Sequence, residues 1–261
     1  MRSIRRRQYL VALCAAAAAP ARAQADPFEG DPFRSHLWPD LRREHLGRAP
    51  VRFDDRVRVL LPSFAEDSMN VPVTVSTRGL PGVERIVVLV DRNPIRKVLE
   101  YEPLAANPSV SFRFKLEQAS PVRAAARTAD GVWHVGGALV DSAGGGCTVS
   151  GATRKDGSWA QSLGQVNARL YPSSLAPDAA ARLRLRVMHP MDTGLVGGVP
   201  AFFVTRLSVR DANGRELLRI HTFEPVSENP VFSFDFAQAP PGPLRVLGVD
   251  NNGNRIESVV E

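Results

Sequence analysis

A motif that occurs twice constrains this chain more than any other feature. EPLAANPSVSFRF at residues 102–114 returns as EPVSENPVFSFDF at residues 224–236, a shared frame of EPxxxNPxxSFxF at an offset of 122. Upstream, VVLVDRNP (87–94) resembles LSVRDANG (207–214) at an offset of 120, and downstream Asp130-Gly131 resembles Asp250-Asn251. Long offsets held at three places identify two copies of one domain. A chain of 261 residues suits one large domain or two of roughly 100 residues each, and the repeat favours two.

Each copy reads as antiparallel β. RVRVLLP, NVPVTVST, RIVVLVD, SVSFRFKL and VRAAART form short β-rich runs in the first, and RLRLRVMHP, AFFVTRLSVRD, ELLRIHTF, VFSFDFA and LRVLGVD do so in the second. Several alternate with period two, as in Arg182-Leu183-Arg184-Leu185-Arg186-Val187 and Phe232-Ser233-Phe234-Asp235-Phe236, which puts the apolar side chains on one face. RTADG, DANG and DNNG are turn signals between them. Six or seven short strands per copy predict a small sandwich, with a barrel as the alternative. Helix is scarce: RSHLWPDLRREHLG supplies one short amphipathic helix after Pro39, with Leu41 and His45 on one side. The domain reading is a first β domain over 26–147, a connecting segment over 148–178 and a second β domain over 179–261. The connector is rich in Ser, Gly, Ala and Pro with isolated Trp159 and Tyr171. It is either an ordered crossing docked by those aromatics or a partly flexible linker.

The formal charge of +6 suggests a nucleic-acid binder until the N-terminus is set aside. MRSIRRRQYLVALCAAAAAPARAQA has a basic start, a short apolar run and a small-x-small ending at Ala23, Gln24 and Ala25, the pattern of a cleaved export signal over 1–25. Arg6-Arg7-Gln8-Tyr9-Leu10 fits a twin-arginine signal, with ordinary secretion as the other route. Bulky Leu13 before Cys14 disfavours a lipoprotein site. The apolar run is too short to span a bilayer. Without residues 1–25, 28 basic residues face 27 acidic ones, so nucleic-acid binding loses its electrostatic motive. The expected location is the periplasm.

Removing the signal also removes Cys14, which leaves Cys147 alone and an internal disulfide impossible. A lone cysteine outside the cytoplasm is either buried and inert or exposed and reactive. Gly144, Gly145 and Gly146 before it give the backbone freedom without bulk, as in a flexible arm that offers a thiol to a partner pocket. The plain alternative is a turn with an incidental cysteine. Arg154 and Lys155 lie close enough in sequence to favour thiolate if they also lie close in space. His189-Pro190-Met191-Asp192-Thr193-Gly194 ends a strand-like run in a compact polar turn, read as structural or interfacial. The histidines His36, His45, His134 and His221 have no metal-like spacing to it, so no metal site and no cofactor is expected. Asn107-Pro108 and Asn229-Pro230 recur in both copies and therefore shape the fold. The phenylalanines Phe112, Phe114, Phe232, Phe234 and Phe236 read as core. GGGC lacks the Lys and Ser/Thr of a phosphate loop, and no nucleophile elbow or paired-carboxylate pattern stands out.

With these residues in view, the first half resembles the Y subunit of the sulfur-oxidation (Sox) carrier, in LPSFAEDSMNVPVTVS (61–76) and in the glycine arm ending at Cys147. The second half resembles the Z subunit, most sharply in VMHPMDTGL (187–195), then in SENPVFSFDF and the final DNNG. The whole is similar to the fused SoxYZ-like carriers that accompany quinoprotein dehydrogenases. That resemblance implies two immunoglobulin-like β-sandwiches packed together. It also implies that Cys147 covalently holds sulfur intermediates while separate enzymes attach thiosulfate-derived sulfur, oxidise it and hydrolyse off sulfate. The chain departs from the separate Y subunit at the arm, where that subunit has glycines on both sides of the cysteine. There the cysteine motif closes the chain, whereas here Thr148-Val149-Ser150 follow and the polypeptide continues, so the arm is a tethered loop. The leading expectation is a non-enzymatic carrier whose partners are sulfur-oxidation enzymes. The alternative is an adaptor for a periplasmic quinoprotein dehydrogenase, and an autonomous enzyme comes last.

Overall fold

A computed structural model describes residues 26–172 and 179–261; the export signal expected over 1–25 lies outside the described residues. Among the described residues the helices are α1 (Trp38–His45), α2 (Ala152–Asp156) and α3 (Trp159–Ser162). The first domain contributes β1 (Val51–Phe53), β2 (Arg58–Leu60), β3 (Phe64–Ala65), β4 (Val71–Ser76), β5 (Val83–Val90), β6 (Lys97–Glu102), β7 (Ser109–Phe114), β8 (Ser120–Thr128) and β9 (Trp133–Ser142). The second contributes β10 (Val166–Pro172), β11 (Ala181–Val187), β12 (Val204–Arg210), β13 (Glu216–Thr222), β14 (Val231–Phe236), β15 (Leu244–Asp250) and β16 (Arg255–Val260).

These strands form two layers. One sheet runs β1-β9-β8-β5-β6-β13-β12-β15-β16, with β3 beside β9, and the other runs β10-β11-β14-β7-β4-β2. The fold is all-β, two immunoglobulin-like sandwiches in tandem with a short N-terminal helix; the alternation predicts the sandwiches, and the family resemblance their immunoglobulin-like form. Both layers pass from one domain into the other. In the larger sheet β6 pairs with β13, setting Tyr101 against Ile220 and Glu100 against His221. In the smaller one β7 pairs with β14, Ser111 against Ser233. Ser111 and Ser233 are the same position of the repeated motif, so the two copies meet around a pseudo-twofold axis at that pair. The strand orders mirror each other about it: β9-β8-β5-β6 against β16-β15-β12-β13, and β2-β4-β7 against β10-β11-β14.

Burial explains why the copies join. Val71, Val73 and Val75 on β4, Leu183, Leu185 and Val187 on β11, and Phe232, Phe234 and Phe236 on β14 all point inward, and one apolar cluster runs through both domains. Tyr101 meets Phe234 at a tilt across the junction, with ring centroids 5.6 Å apart, and its hydroxyl donates to the Asn107 carbonyl at 2.9 Å. Unpaired β6, β7, β13 and β14 would expose sheet edges, and pairing them removes the exposure.

The central strand β8 is buried along nearly all its length because both of its faces are covered. The inner face meets the smaller sheet, and the outer face meets the N-terminal segment, where Trp38 and Leu41 of α1 pack on Val87, Leu89, Ala125 and Val135. Arg123 points into this outer layer. Its guanidinium reaches Asp31 at 2.6 Å and Asp91 at 2.7 Å, all three side chains being fully buried. The connecting segment folds in part: α2 and α3 follow Gly151, and β10 pairs with β11 from Val166 to Pro172, extending the second sandwich upstream of residue 179. Residues 173–178 of that segment lie outside the described residues.

Candidate functional site

Cys147 lies where the chain leaves the end of β9 and crosses the mouth of the domain junction. The arm docks along residues 115–117, just past β7. Gly144 donates its N–H to Ser142 Oγ at 2.9 Å, Gly145 to the Glu117 carbonyl at 3.0 Å and Gly146 to the Leu116 carbonyl at 3.0 Å. Gly144 and Gly145 hold φ of 90° and 80°. Gly146 is required by contact: a Cβ there would stand 2.1 Å from the Ser68 carbonyl oxygen and 2.6 Å from that of Leu116. The glycines therefore let the arm lie flat against backbone. The projecting loop expected from sequence is closed down in the structure, because each of its amides finds an acceptor.

The cysteine is correspondingly hidden, with 1% of its surface exposed. Its N–H donates to Glu117 Oε2 at 3.0 Å, and its thiol points to the Lys115 carbonyl at 3.6 Å. Burial pushes the Cys147 thiol up to about 12, the Glu117 carboxylate adds to the rise, and the Lys115 ammonium opposes it weakly. Lys115 is itself buried, its ammonium donating to the Met191 carbonyl, and desolvation lowers its pKa. Arg154 and Lys155 do not activate the thiol: Arg154 is paired with Asp192 (Nε to Oδ2 2.9 Å), and among the described residues the cation that bears on Cys147 is Lys115.

The HPMDTG turn, remote in sequence, meets the arm here. Thr193 Oγ1 donates to the Cys147 carbonyl at 2.6 Å, and Met191 supplies the acceptor for Lys115. Asp192 pairs its backbone with Phe202 and its carboxylate with Arg154. His189 and Pro190 are buried, whereas Gly194 lies exposed at the rim. His189 Nδ1 accepts the Met191 N–H at 3.1 Å, which leaves the proton of the neutral ring on Nε2, 3.4 Å from Asp250 Oδ2. Burial lowers the His189 pKa to about 4, against the pull of Asp250. This histidine is a neutral pillar of the turn.

Beyond the cysteine, the chain is strapped to the second domain. Glu228 accepts the N–H groups of Ala152 and Thr153 at 2.8 and 2.7 Å, at the start of α2. The Arg154 guanidinium lies 4.3 Å from the Trp159 ring centroid, and Trp159 meets Phe202 edge-on at 5.9 Å. Cys147 is thus held by the first domain through Glu117 and Lys115, and by the second through Thr193. Lys115 and Glu117 escape a direct reading of the sequence. The repeat marks them, however: at the offset of 122 the second copy has Ala237 and Ala239 in their places. Among the described residues, no group of three or more His, Cys, Asp or Glu side chains is placed to hold a metal ion, and no helix is long and apolar enough to cross a membrane.

Among the described residues, two β-sandwiches joined sheet to sheet, with one cysteine-bearing arm folded into their junction, define a two-domain protein built around one buried thiol. Comparison with known families makes this specific. Residues 42–147 match the family model described as sulfur oxidation protein SoxY, and residues 169–261 match that described as sulphur oxidation protein SoxZ. The chain is a fused SoxYZ-like protein, with the SoxY match ending at Cys147. No curated protein matches it. Among solved structures, the sulfur carrier protein SoxY from Chlorobium limicola f thiosulfatophilum is 22% identical, over 41% of this chain and 96% of that one, with a TM-score of 0.37.

Proposed function

We propose that this chain is an exported, periplasmic carrier that holds thiosulfate-derived sulfur covalently on Cys147 and presents it to partner enzymes. The observation that carries the reading is the position of Cys147. It closes the SoxY-matched segment, follows three glycines, and sits at the junction with the SoxZ-matched segment. The export signal read over residues 1–25 supports the location. The closed arm is then the resting state. Opening breaks the bonds to Glu117 and Thr193, and it returns the thiol toward the ~8.5 of an exposed cysteine. Joining the thiol sulfur to the outer sulfur of thiosulfate releases the thiol proton and two electrons. A partner redox enzyme accepts the electrons, and a separate hydrolase later releases sulfate. The carrier is the substrate of these enzymes and supplies no catalytic group.

Intact-mass analysis of protein from cells grown on thiosulfate tests this. The wild-type chain is expected to carry sulfur adducts that reduction removes, and Cys147→Ser to carry none. Identical adducts on Cys147→Ser would exclude Cys147 as the attachment residue. A second reading, an adaptor for a periplasmic quinoprotein dehydrogenase with an incidental cysteine, is favoured by the burial of Cys147 and its weakly acidic thiol. Co-purification with such a dehydrogenase that survives Cys147→Ser, in protein free of adducts, would support the adaptor over the carrier.

A further inference from the structure

The outer face of the smaller sheet carries a concentration of charge that neither the carrier reading nor the fold uses. Arg182, Arg184 and Arg186 alternate outward along β11, Arg169 stands beside Arg184 on β10, and Arg113 and Arg58 lie on β7 and β2. The one carboxylate among the outward positions of these strands is Asp235, which Arg182 and Arg78 hold. Arg58, Arg113, Arg169, Arg184 and Arg186 are exposed and form no ion pair among the described residues. Residues 26–261 hold 28 basic against 27 acidic residues, so this face concentrates positive charge that is balanced elsewhere on the molecule.

A groove of about 550 Å³ opens in the middle of this face, over the seam where β7 meets β14. Its floor is neutral: Thr74 and Ser111 share a hydrogen bond of 2.9 Å, with Ser233 beside them. Its walls are apolar and stiff, made by Pro72, Pro172 and Tyr171, while Arg113, Arg182 and Arg184 line the rim. Arginine and tyrosine around a concave centre is the composition of a protein interface, whereas a flat bilayer would reach the rim and leave the groove empty. The strands of this face also lead to the residues around the thiol. β7 and β11 both run toward the cysteine, so Arg113 precedes buried Lys115 by two residues and Arg186 precedes His189 by three.

We propose that this face docks a protruding acidic segment of a partner protein, seated in the groove and held by Arg113, Arg169, Arg184 and Arg186. Docking there places the partner's body over the end of the junction where the Cys147 arm opens. The inference extends the carrier reading by locating the partner, and its test does not depend on sulfur chemistry.

Fluorescence anisotropy of a labelled polyglutamate peptide against the full chain reads the interaction. Binding is expected for both the wild-type chain and Cys147→Ser, and it should weaken as salt rises. Combined Arg113→Glu, Arg169→Glu and Arg184→Glu should lower affinity about tenfold or more. An equal reversal on the other sheet, Arg210→Glu, Arg245→Glu and Arg255→Glu, should change it by less than about twofold. If the first triple variant does not fold, Arg169→Gln with Arg184→Gln should still weaken binding. Equal losses in both triples would reduce the effect to net charge and overturn the proposal. So would absence of binding at low salt, or tighter binding to phosphatidylglycerol vesicles or to a single-stranded oligonucleotide than to the peptide. Because Cys147→Ser is included, loss of the carrier reading and loss of the docking face give different results.

Discussion

Burial holds the Cys147 thiol at about 12, so almost none of it is thiolate at neutral pH. The three glycines before it make that burial possible, since their amides lie against Glu117, Leu116 and Ser142 with no side chain to hold them off. The closed state therefore depends on Gly146 more than on the cysteine. Gly146→Ala would drive a methyl group into the Ser68 and Leu116 carbonyls, and backbone on both sides has no room to retreat. The arm should undock while the sandwiches, which do not depend on it, remain folded. The expected outcome is a thiol that reacts with a disulfide reagent at least about tenfold faster at pH 8, because its pKa falls back toward ~8.5. Equal labelling rates for variant and wild type, with the same thermal stability, would show that the arm opens freely and that Gly146 does not gate it. At this scale the sequence reveals the cysteine, unique once residues 1–25 are set aside. It hides Lys115 and Glu117, whose importance comes from a contact across 30 residues of chain.

Among the elements, strands with one buried and one solvated face announce themselves. β4 and β11 alternate cleanly and stand where the period-two pattern predicts, and β14 does so until Asp235, which is buried under Arg78 and Arg182. β6 (KVLEYE) does not stand out in the sequence because Glu100 and Glu102 face partners across the seam rather than water. β10 hides in the Ser- and Pro-rich connector, and β9 has two adjacent glycines that weaken its pattern. The N-terminal segment is legible as a short helix. Its anchor, Arg123 locked between Asp31 and Asp91, unites residues far apart in the chain. Arg123 also lies 4.7 Å from the Trp38 ring centroid, so it joins strand, loop and helix at one point. Removing it would leave two buried carboxylates without their cation. Arg123→Ala should cost about 3–5 kcal/mol by urea unfolding, with α1 exposed to limited proteolysis before the rest. A loss below about 1 kcal/mol would mean that apolar packing of Trp38 and Leu41 holds the segment without the ion pairs.

For the molecule as a whole, the repeated motif does more than duplicate a domain. Its two copies are the strands that meet, Ser111 against Ser233, so the sequence similarity between halves is also the similarity of one interface to itself. The apolar cluster continues from one sandwich into the other, and Arg219 bonds Glu102 across the seam at 3.0 Å. The covalent connection is then expected to be redundant for cohesion, its part before residue 173 strapping the arm after Cys147 to Glu228. Cutting the chain at a protease site placed within residues 173–178 tests this. The nicked protein should elute as one species of unchanged size and unfold in a single transition. Phe234→Ala, which empties the ring contact with Tyr101, should destabilise it by about 3–5 kcal/mol and let the nicked halves separate. Two unfolding transitions in the nicked wild-type chain would mean that each sandwich is stable alone. In that case the shared sheets would be a consequence of the tether, and Cys147 would sit between two bodies free to part.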